Sequence, residues 1–157
     1  MALEIERKFL VDLGTGVLDR SSSAVRMRQA YLSDDPDLTV RVRIAGDEAW
    51  LTIKTRNSGM TRNEWEYRIP VEDACDMMGR AVGRVVEKVR HRVPSGDLVW
   101  EIDVFEGALE GLVVAEVELD SEERTIDLPW FVGREVTGNP RYYNSNLAKG
   151  DTLPEVR

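Results

Sequence analysis

Charged and apolar residues alternate along about eight stretches of this sequence, and this alternation constrains the fold more than any other feature. Successive side chains of a β-strand point to opposite faces. In one such stretch Val40, Val42 and Ile44 share one face. Arg41 and Arg43 share the other. The pattern therefore predicts a mainly β (α+β) fold in which each strand has one charged face and one apolar face.

The charged face carries full charges of both signs. Its acidic members are Glu4, Glu6, Glu64, Glu66, Glu101, Asp103, Glu116 and Glu118. Its basic members are Lys8, Arg41, Arg43, Lys54, Lys88, Arg90 and Arg92. A dry interior cannot hold so many ions, because burying each one costs several kcal/mol before it is paired. The charged face therefore meets bulk water or lines a wet cavity.

A wet cavity is the favoured interpretation. Serine, threonine, asparagine and glutamine would serve a solvent-facing sheet equally well, whereas these strands carry almost only full charges, with acids and bases largely on different strands. Closing the sheet also removes its exposed edges. We therefore predict a closed β-barrel of about eight strands with a charged lumen. An open sheet with a solvated charged face is the alternative.

The length and charge of the chain limit its organisation and partners. With 157 residues it is long enough for one domain with a real core. We expect residues 1–150 to form that domain and residues 151–157 to form a loose tail. A net charge of −8 argues against a general nucleic-acid-binding role. No apolar run approaches the ~18 residues of a membrane span, so no membrane partner is expected.

The single cysteine, Cys75, excludes an internal disulfide and is typical of a reducing compartment. No signal peptide is apparent near the start of the sequence, so we expect a cytoplasmic location. Cys75 lies within a helical pattern that runs from Glu72 to Ala81, and we expect its side chain to be buried. A further helix is expected after Ser121, which is a suitable N-cap.

The stretch Glu4-Ile5-Glu6-Arg7-Lys8 resembles the E-x-E-x-K signature of the CYTH superfamily, also called triphosphate tunnel metalloenzymes. Later parts of the family pattern follow in the expected order: Arg41-x-Arg43, Lys54, Glu64-x-Glu66, Lys88-x-Arg90, Glu101-x-Asp103, Glu116-x-Glu118 and the segment from Pro129 to Thr137. The resemblance extends to about Leu147 and is nearest to the small bacterial inorganic triphosphatases. It implies a closed eight-stranded antiparallel β-barrel, a tunnel with a charged lumen, flanked by a few short helices. Members of the family cleave or cyclise triphosphates with Mg²⁺ or Mn²⁺.

The residue types suit that chemistry. Tripolyphosphate carries about four to five negative charges at neutral pH and needs several cationic partners. We expect it to be bound by Lys8, Arg41, Arg43, Lys54, Lys88, Arg90 and Arg92. Carboxylate oxygens are the ligands that a hard divalent cation prefers. The expected metal ligands are Glu4, Glu6, Glu116 and Glu118 with Glu101 and Asp103, while Glu64 and Glu66 hold a second metal or orient the attacking water.

Tyr31 has two interpretations. A strand tyrosine commonly packs in the wall of a sheet. In its local sequence, however, Tyr31 resembles the tyrosine that pairs with a tunnel lysine in small bacterial members of the family, and Lys54 is the equivalent lysine here. The resemblance implies that Tyr31 and Lys54 form a catalytic pair in which the phenol accepts a proton or orients water.

Three functions remain open. Hydrolysis of inorganic tripolyphosphate to pyrophosphate and phosphate is favoured, because the chain is short and carries no added domain. A class IV type adenylate cyclase would need a base pocket that the sequence does not reveal. A non-catalytic polyphosphate-binding module would not call for so many paired carboxylates. Thiamine triphosphate and nucleoside triphosphates are alternative substrates, and a homodimer is an open prediction.

Overall fold

A computed structural model of the protein describes residues 2–56, 58–150 and 153–156. Its strands are β1 (Ala2–Val11), β2 (Ser23–Ser33), β3 (Leu38–Ala45), β4 (Glu48–Thr55), β5 (Thr61–Ile69), β6 (Val82–Ser95), β7 (Leu98–Phe105), β8 (Val113–Glu118) and β9 (Val132–Glu135). The α-helices among these residues are α1 (Val71–Met78) and α2 (Asn144–Leu147). Short 3₁₀ helices span Leu13–Thr15, Val17–Arg20, Gly107–Leu109 and Pro140–Tyr142. No helix in the described part of the chain has the length and apolar character that crossing a membrane requires.

The sheet closes on itself because β1 has a partner on each of its two edges. The strand order is β5-β4-β3-β2-β6-β7-β8-β1, and β1 returns to β5 through pairs that run from Ala2↔Glu64 to Ile5↔Thr61. On the opposite edge β1 pairs with β8 from Glu6 to Leu10. Every one of these pairings is antiparallel. The predicted closed eight-stranded antiparallel barrel is confirmed.

The short strand β9 is an addition that the alternation of the sequence did not predict. It pairs with the end of β1, where Phe9 lies opposite Glu135 and Val11 opposite Val132. The Arg7 side chain donates two hydrogen bonds to the Glu135 carboxylate, at 2.9 and 2.7 Å. With only four residues, β9 is too short to show a clear period of two.

The main apolar cluster lies outside the barrel, on the faces opposite the charges. Phe9, Trp100 and Phe131 are almost fully buried there. Their rings pack with centroids 5.6 Å apart for Phe9 and Trp100 and 5.7 Å apart for Trp100 and Phe131. On another side of the barrel, Ala74 and Met78 of α1 cover the outer face of the sheet. Burial of these apolar groups against the outer wall leaves the lumen free for polar side chains.

The lumen is not charged along its whole length. Leu10 and Val114, which share the inward faces of β1 and β8 with the charged residues, pack with Phe105 in a second buried cluster. Leu147 and Tyr142 from the C-terminal part of the chain complete this cluster. We call these residues the apolar plug. The plug fills one end of the barrel, so the charged part of the tunnel is confined to the other end.

The C-terminal segment, residues 139–149, docks against the barrel at the plug. The Ala148 carbonyl accepts a hydrogen bond of 2.7 Å from the backbone N–H of Arg84. This close approach depends on Gly83, whose φ is +79° and whose hypothetical Cβ would lie 2.5 Å from the Ala148 carbonyl oxygen. Beyond the segment, the Tyr142 hydroxyl donates to the Glu155 carbonyl at 2.7 Å. The domain boundary at residue 150 stays a prediction.

Two local predictions were wrong. Cys75 is exposed, because α1 turns Ala74 and Met78 toward the sheet and leaves Cys75 outside. The described residues after Ser121 form a turn, closed by a 3.4 Å bond from the N–H of Arg124 to the Ser121 carbonyl, and the helix predicted at this place does not form. The chain extends there because the residues that come next pack along the outer core.

Candidate active site

The charged end of the barrel encloses a cavity of about 170 Å³. A single buried water needs only about 10–15 Å³, so the cavity has room for a ligand of several atoms. Its lining residues are Glu4, Glu6, Tyr31, Arg41, Arg43, Lys54, Arg62, Glu64, Glu66, Arg90, Glu101, Glu116, Glu118 and Asn144. The structure therefore brings together all of the predicted site residues except Lys8, Lys88, Arg92 and Asp103.

The register of the strands places like charges next to each other in this lining. Glu6 lies opposite Glu118 in the β1–β8 ladder, and Glu116 lies opposite Glu101 in the β7–β8 ladder. Side chains that face each other directly across strands have Cβ atoms about 4.5–5.5 Å apart. Like charges at this spacing destabilise a sheet unless a counter-charge lies between them. Lys8, opposite Glu116, supplies one such counter-charge.

Lys54 is the counter-charge of a second acidic group. Its Nζ donates to both carboxylate oxygens of Glu4, at 3.1 and 2.9 Å, and lies 3.3 Å from Glu64. Arg62 also donates to Glu4, at 3.3 Å. Burial opposes the ionisation of Glu4, but the charges of Lys54 and Arg62 hold its pKa well below the usual range. Burial and the hydrogen bond shared with Glu4 raise the pKa of Glu64 to about 7.

Glu6 and Glu118 lack such partners. In the described part of the chain no lysine or arginine nitrogen lies within 4.0 Å of either carboxylate. Burial and the charges of Glu116 and Glu4 raise the pKa of Glu6 to about 7. Burial and neighbouring acids, Glu4 first among them, also raise the pKa of Glu118. This side of the cavity therefore has a surplus of negative charge.

The opposite side of the cavity has unused cationic donors. Arg43 donates through Nε to the Gln29 side-chain oxygen at 3.0 Å, and within residues 2–56, 58–150 and 153–156 no carboxylate lies within 4.0 Å of it. Burial and the neighbouring charges of Arg41 and Arg90 lower the pKa of Arg43. Arg41 donates to Thr52 at 3.3 Å, but its buried Nε has no hydrogen-bond partner in the described residues. Both guanidinium groups line the cavity, so an anion there would offer them further acceptors.

Lys88 and Asp103 do not line the cavity. They form, with Arg90, a group that we call the closed ion cluster. The Lys88 Nζ lies 2.7 Å from Asp103, and Arg90 donates two bonds to the same carboxylate at 2.7 and 2.9 Å. Burial lowers the pKa of Lys88 to about 7. Burial opposes the charge of Asp103, but Arg90 and Lys88 hold its pKa well below the usual range.

Lys8 and Arg92 lie at other edges of the site. Lys8 is buried beside the cavity, where its Nζ lies 3.5 Å from Glu116 and donates to the Tyr142 carbonyl at 3.3 Å. Arg92 is exposed and lies opposite Glu101 in the ladder, one position outward from Arg90 on the same face. Of these two predicted phosphate-binding residues, Lys8 is therefore next to the site and Arg92 is outside its lining.

Tyr31 and Lys54 line the same cavity, as the predicted pair requires. Tyr31 is 5% exposed and packs partly against the apolar plug. The Lys54 ammonium is held by the Glu4 carboxylate. A Tyr31–Lys54 pair would therefore act on a ligand between them, and its catalytic role stays a prediction.

Three residues of the site were missed by the sequence reasoning. Arg62 shares its strand face with Glu64, so its position in the lining could have been read from the alternation. Gln29 shares a face with Tyr31 and is fully buried. Asn144 gave no sequence signal, because its place in the cavity depends on how the C-terminal segment docks.

The carboxylates of the cavity lining are the candidate metal ligands. Among the described residues, no three acidic, histidine or cysteine side chains lie close enough together to hold a metal ion by themselves. Mg²⁺ is usually bound by one or two carboxylates, with substrate phosphates and waters completing its coordination, and Mn²⁺ suits the same oxygen ligands. Glu6 and Glu118 are adjacent, and among the described residues no lysine or arginine nitrogen lies within 4.0 Å of either carboxylate. They fit a divalent cation that arrives with a phosphate ligand.

The fold and the site define a class of protein: a closed β-barrel that receives a small polyanion in a lumen lined by charges of both signs. The chain belongs to the CYTH domain family, whose model matches residues 2–148. This match covers the barrel, β9 and most of the C-terminal segment.

Similar proteins carry names that agree with this class. An inorganic triphosphatase from Acetivibrio thermocellus is 43% identical over 151 residues, which are 95% of each chain. An inorganic triphosphatase from Nitrosomonas europaea is 41% identical, covering 92% of this chain and 96% of its own. The crystal structure of the inorganic triphosphatase NE1496 matches with a TM-score of 0.64 and 36% identity, covering 97% of this chain and 98% of that one.

A more distant structure has the same fold. HpAC1 from Hippeastrum, an adenylyl cyclase candidate with a dominant triphosphatase activity, matches with a TM-score of 0.57 over 78% of this chain and 81% of its own. At 14% identity the likeness concerns the barrel fold and no more.

Proposed function

We propose that this protein hydrolyses inorganic tripolyphosphate to pyrophosphate and phosphate with Mg²⁺ or Mn²⁺, in the cytoplasm. The observation that carries the proposal is a pair of arginines in the cavity that the described residues leave largely without carboxylate partners: Arg43 has none within 4.0 Å, and Arg41 has Glu66 at 3.7 Å. The inorganic triphosphatases that are 43% and 41% identical to the chain support the same substrate.

The cations have graded roles in this proposal. Arg41 and Arg43 bind phosphate oxygens directly, because a guanidinium offers two parallel donors to such oxygens. Lys54 and Arg90 line the cavity but are shared with carboxylates, so they bind the substrate while also balancing Glu4 and Glu116. Lys8 and Lys88 act from beside and beneath the cavity. Arg92 contributes long-range attraction at most, because it is exposed to solvent.

Glu6 and Glu118, with Glu4 and Glu116 beside them, would hold the metal. When bound, a divalent cation would supply positive charge that offsets the phosphoryl oxygens and favours ionisation of the attacking water. Glu64 and Glu66 lie on the β5 side of the cavity, where they are placed to orient a water. With its pKa near 7, Glu64 can accept a proton at neutral pH. Glu101 and Asp103 fix Arg90 from two sides.

The reaction itself is a simple displacement. The oxygen of the attacking water bonds to a terminal phosphorus, the bridging P–O bond breaks, and pyrophosphate leaves with the electron pair. Tyr31 and Lys54 would orient that water and the terminal phosphoryl group. Most of the rate acceleration would come from positioning and preorganised charge.

A cyclase is less well supported by the lining of the cavity. Among the described residues around it, Tyr31 is the single aromatic side chain, and almost all the others are charged. A nucleotide base would need an apolar or aromatic surface on which to stack. The lining therefore favours a ligand made of phosphate groups alone.

The test is product analysis over tripolyphosphate, thiamine triphosphate and ATP, each with Mg²⁺ or Mn²⁺. We expect orthophosphate and pyrophosphate from tripolyphosphate, and no cyclic AMP from ATP. Tyr31→Phe should lower kcat by about 10²–10⁴-fold with little change in KM. Full activity in excess chelator would contradict the metal, and cyclic AMP as the main product would overturn the function. An unimpaired Tyr31→Phe enzyme would remove only the role of the tyrosine.

A further inference from the structure

Asn144 is an uncharged residue in a cavity that is otherwise almost entirely charged. It is the first residue of α2, and the docked C-terminal segment carries it into the lining beside Arg43 and Arg90. Its side-chain oxygen accepts a hydrogen bond of 2.9 Å from the Gln29 amide and one of 3.3 Å from the Lys88 ammonium. Gln29 belongs to β2 and Lys88 to β6, so two strands of the barrel hold the Asn144 side chain.

The orientation of the Asn144 amide follows from the chemistry of its partners. An amide presents an oxygen that accepts and a nitrogen that donates. The Arg43 guanidinium can only donate, so the Gln29 atom 3.0 Å from it must be the oxygen. The other end of Gln29 is therefore its NH₂ group, and the Asn144 atom that meets it must be the oxygen. The Lys88 Nζ donates to the same oxygen, which agrees with this assignment.

The Asn144 nitrogen takes no part in the network that holds the oxygen. The oxygen is bound to Gln29 and Lys88, both of which are fully buried, whereas the half-buried Asn144 side chain lines the cavity, which leaves the NH₂ group for the cavity side. No hydrogen bond from this nitrogen to the protein occurs among the described residues, and the nitrogen is not one of the fully buried unpartnered atoms. A donor in this lining, which also contains Arg43, can reach an anion in the cavity.

We propose that Asn144 binds the substrate directly, donating from Nδ2 to a phosphate oxygen, and that Gln29 is the positioning residue that aims both Asn144 and Arg43 at it. The inference rests on the proposed function, since it assumes a phosphate ligand in the cavity. A neutral donor is useful there because it adds a hydrogen bond without adding another cation to a crowded group. It also makes phosphate binding depend on the docked C-terminal segment.

The decisive variant is Asn144→Asp. An aspartate keeps an oxygen for Gln29 and Lys88, so the buried network survives, but it replaces the donor with a charge that repels phosphate. We expect an unchanged or higher melting temperature and a Kd for tripolyphosphate at least about 10–100-fold weaker, as for loss of a hydrogen bond to a charged group. Calorimetry with tripolyphosphate in chelator measures binding without turnover.

Two further variants separate the possible causes. Asn139→Asp is the matched control, because Asn139 caps the 3₁₀ helix by accepting from the N–H of Arg141 and an aspartate retains that bond. It should bind tripolyphosphate like the wild type. Asn144→Ala removes donor and acceptor together without adding charge, so it should weaken binding and also lower the melting temperature. A purely structural asparagine would instead give an impaired Asn144→Ala and a normal Asn144→Asp.

The outcomes distinguish this inference from the proposed function. Binding of tripolyphosphate by Asn144→Asp within about twofold of wild type overturns the role of Asn144, whatever the activity of the enzyme. Wild-type protein that binds tripolyphosphate but releases no phosphate overturns the proposed hydrolysis and leaves the inference to be judged by binding. Wild-type protein that binds tripolyphosphate neither in chelator nor with added Mg²⁺ overturns both.

Discussion

The closed ion cluster and the lining of the cavity are made of the same residue types but differ in how their charges are paired. In the cluster, the Asp103 carboxylate accepts hydrogen bonds from the Lys88 Nζ and from two nitrogens of Arg90, and it is almost fully buried. In the lining, Arg43 has no carboxylate within 4.0 Å among the described residues. Each charge of the cluster has an opposite charge within it, whereas the lining contains charges that have none close by among the described residues.

This difference separates charges that support the fold from charges that bind a ligand. A buried ion pair is costly to break because one partner is left without compensation. A cationic group that the protein leaves unpaired has its full attraction available for an anion from outside. Removal of a closed charge should therefore mainly reduce stability, and removal of an open one should mainly reduce binding.

The largest expected effect is on the closed ion cluster. Asp103→Asn keeps the shape of the side chain but leaves Lys88 and Arg90 buried without a carboxylate, and we expect the free energy of unfolding to fall by about 3–5 kcal/mol. Glu101→Gln is the matched control, because Glu101 accepts from the same arginine at 3.2 Å but is open to the cavity. It should cost less than about 1 kcal/mol. Denaturant unfolding measures both, and equal losses would contradict the distinction.

The next effect concerns an open charge. Arg43→Gln should lower kcat/KM for tripolyphosphate by about 10–150-fold, which corresponds to the loss of about 1.5–3 kcal/mol from a charged hydrogen bond. Its free energy of unfolding should stay within about 1 kcal/mol of wild type, since no ion pair is lost. Arg92→Gln, which removes the same charge from the exposed rim, should change kcat/KM less than about twofold. An Arg43→Gln protein that is active but unstable would reverse our assignment.

The smallest effect concerns the surplus of acid at Glu6. In the unfolded chain this carboxyl titrates near 4.5, and in the folded protein near 7. The folded state therefore retains a proton that the unfolded chain has released, and the free energy of unfolding contributed by Glu6 falls as pH rises from about 4.5 to 7. In chelator, Glu6→Gln should be more stable than wild type by about 1–2 kcal/mol above pH 7 and equal to it below pH 4.5.

Denaturant curves from pH 4 to pH 8 check this prediction. Glu6→Gln that is no more stable than wild type at pH 8 would show that Glu6 is not strained in the empty barrel. The same variant should lose the stabilisation that Mg²⁺ and Mn²⁺ give the wild type, because a metal requires the ionised carboxylate.

The barrel could be predicted from the sequence because charged and apolar residues alternate clearly along each strand of the wall. Strands with one charged face can be arranged in only a few ways. The members of the lining could be predicted for the same reason, since Glu4, Glu6 and Glu64 follow from strand parity alone. Parity also places Asp103 and Lys88 on the inner face, but it does not give their depth along the barrel axis. Their closure into a buried cluster depends on which neighbours surround them, and this cannot be read from the strand pattern.

The C-terminal contribution could not be predicted. Asn144 lies in a short helix without periodicity, and it reaches the cavity only because residues far away in the sequence receive the segment. The apolar plug had a related difficulty: Leu10 and Val114 continue the charged faces of β1 and β8 as ordinary apolar residues. The sequence pattern shows two faces for each strand but not where along the strand the chemistry of a face changes.

Mutations at Gly83 should reveal this long-range dependence. Any side chain at that position would meet the Ala148 carbonyl oxygen at 2.5 Å and would also have to adopt a φ of +79°. A substitution there would push away the backbone that carries Asn144, although Gly83 lies outside the cavity lining. Loss-of-function variants should therefore be found at Gly83, a solvent-side glycine at the start of β6 that is far in sequence from the segment it supports. Second-site suppressors of these variants should arise within residues 139–149.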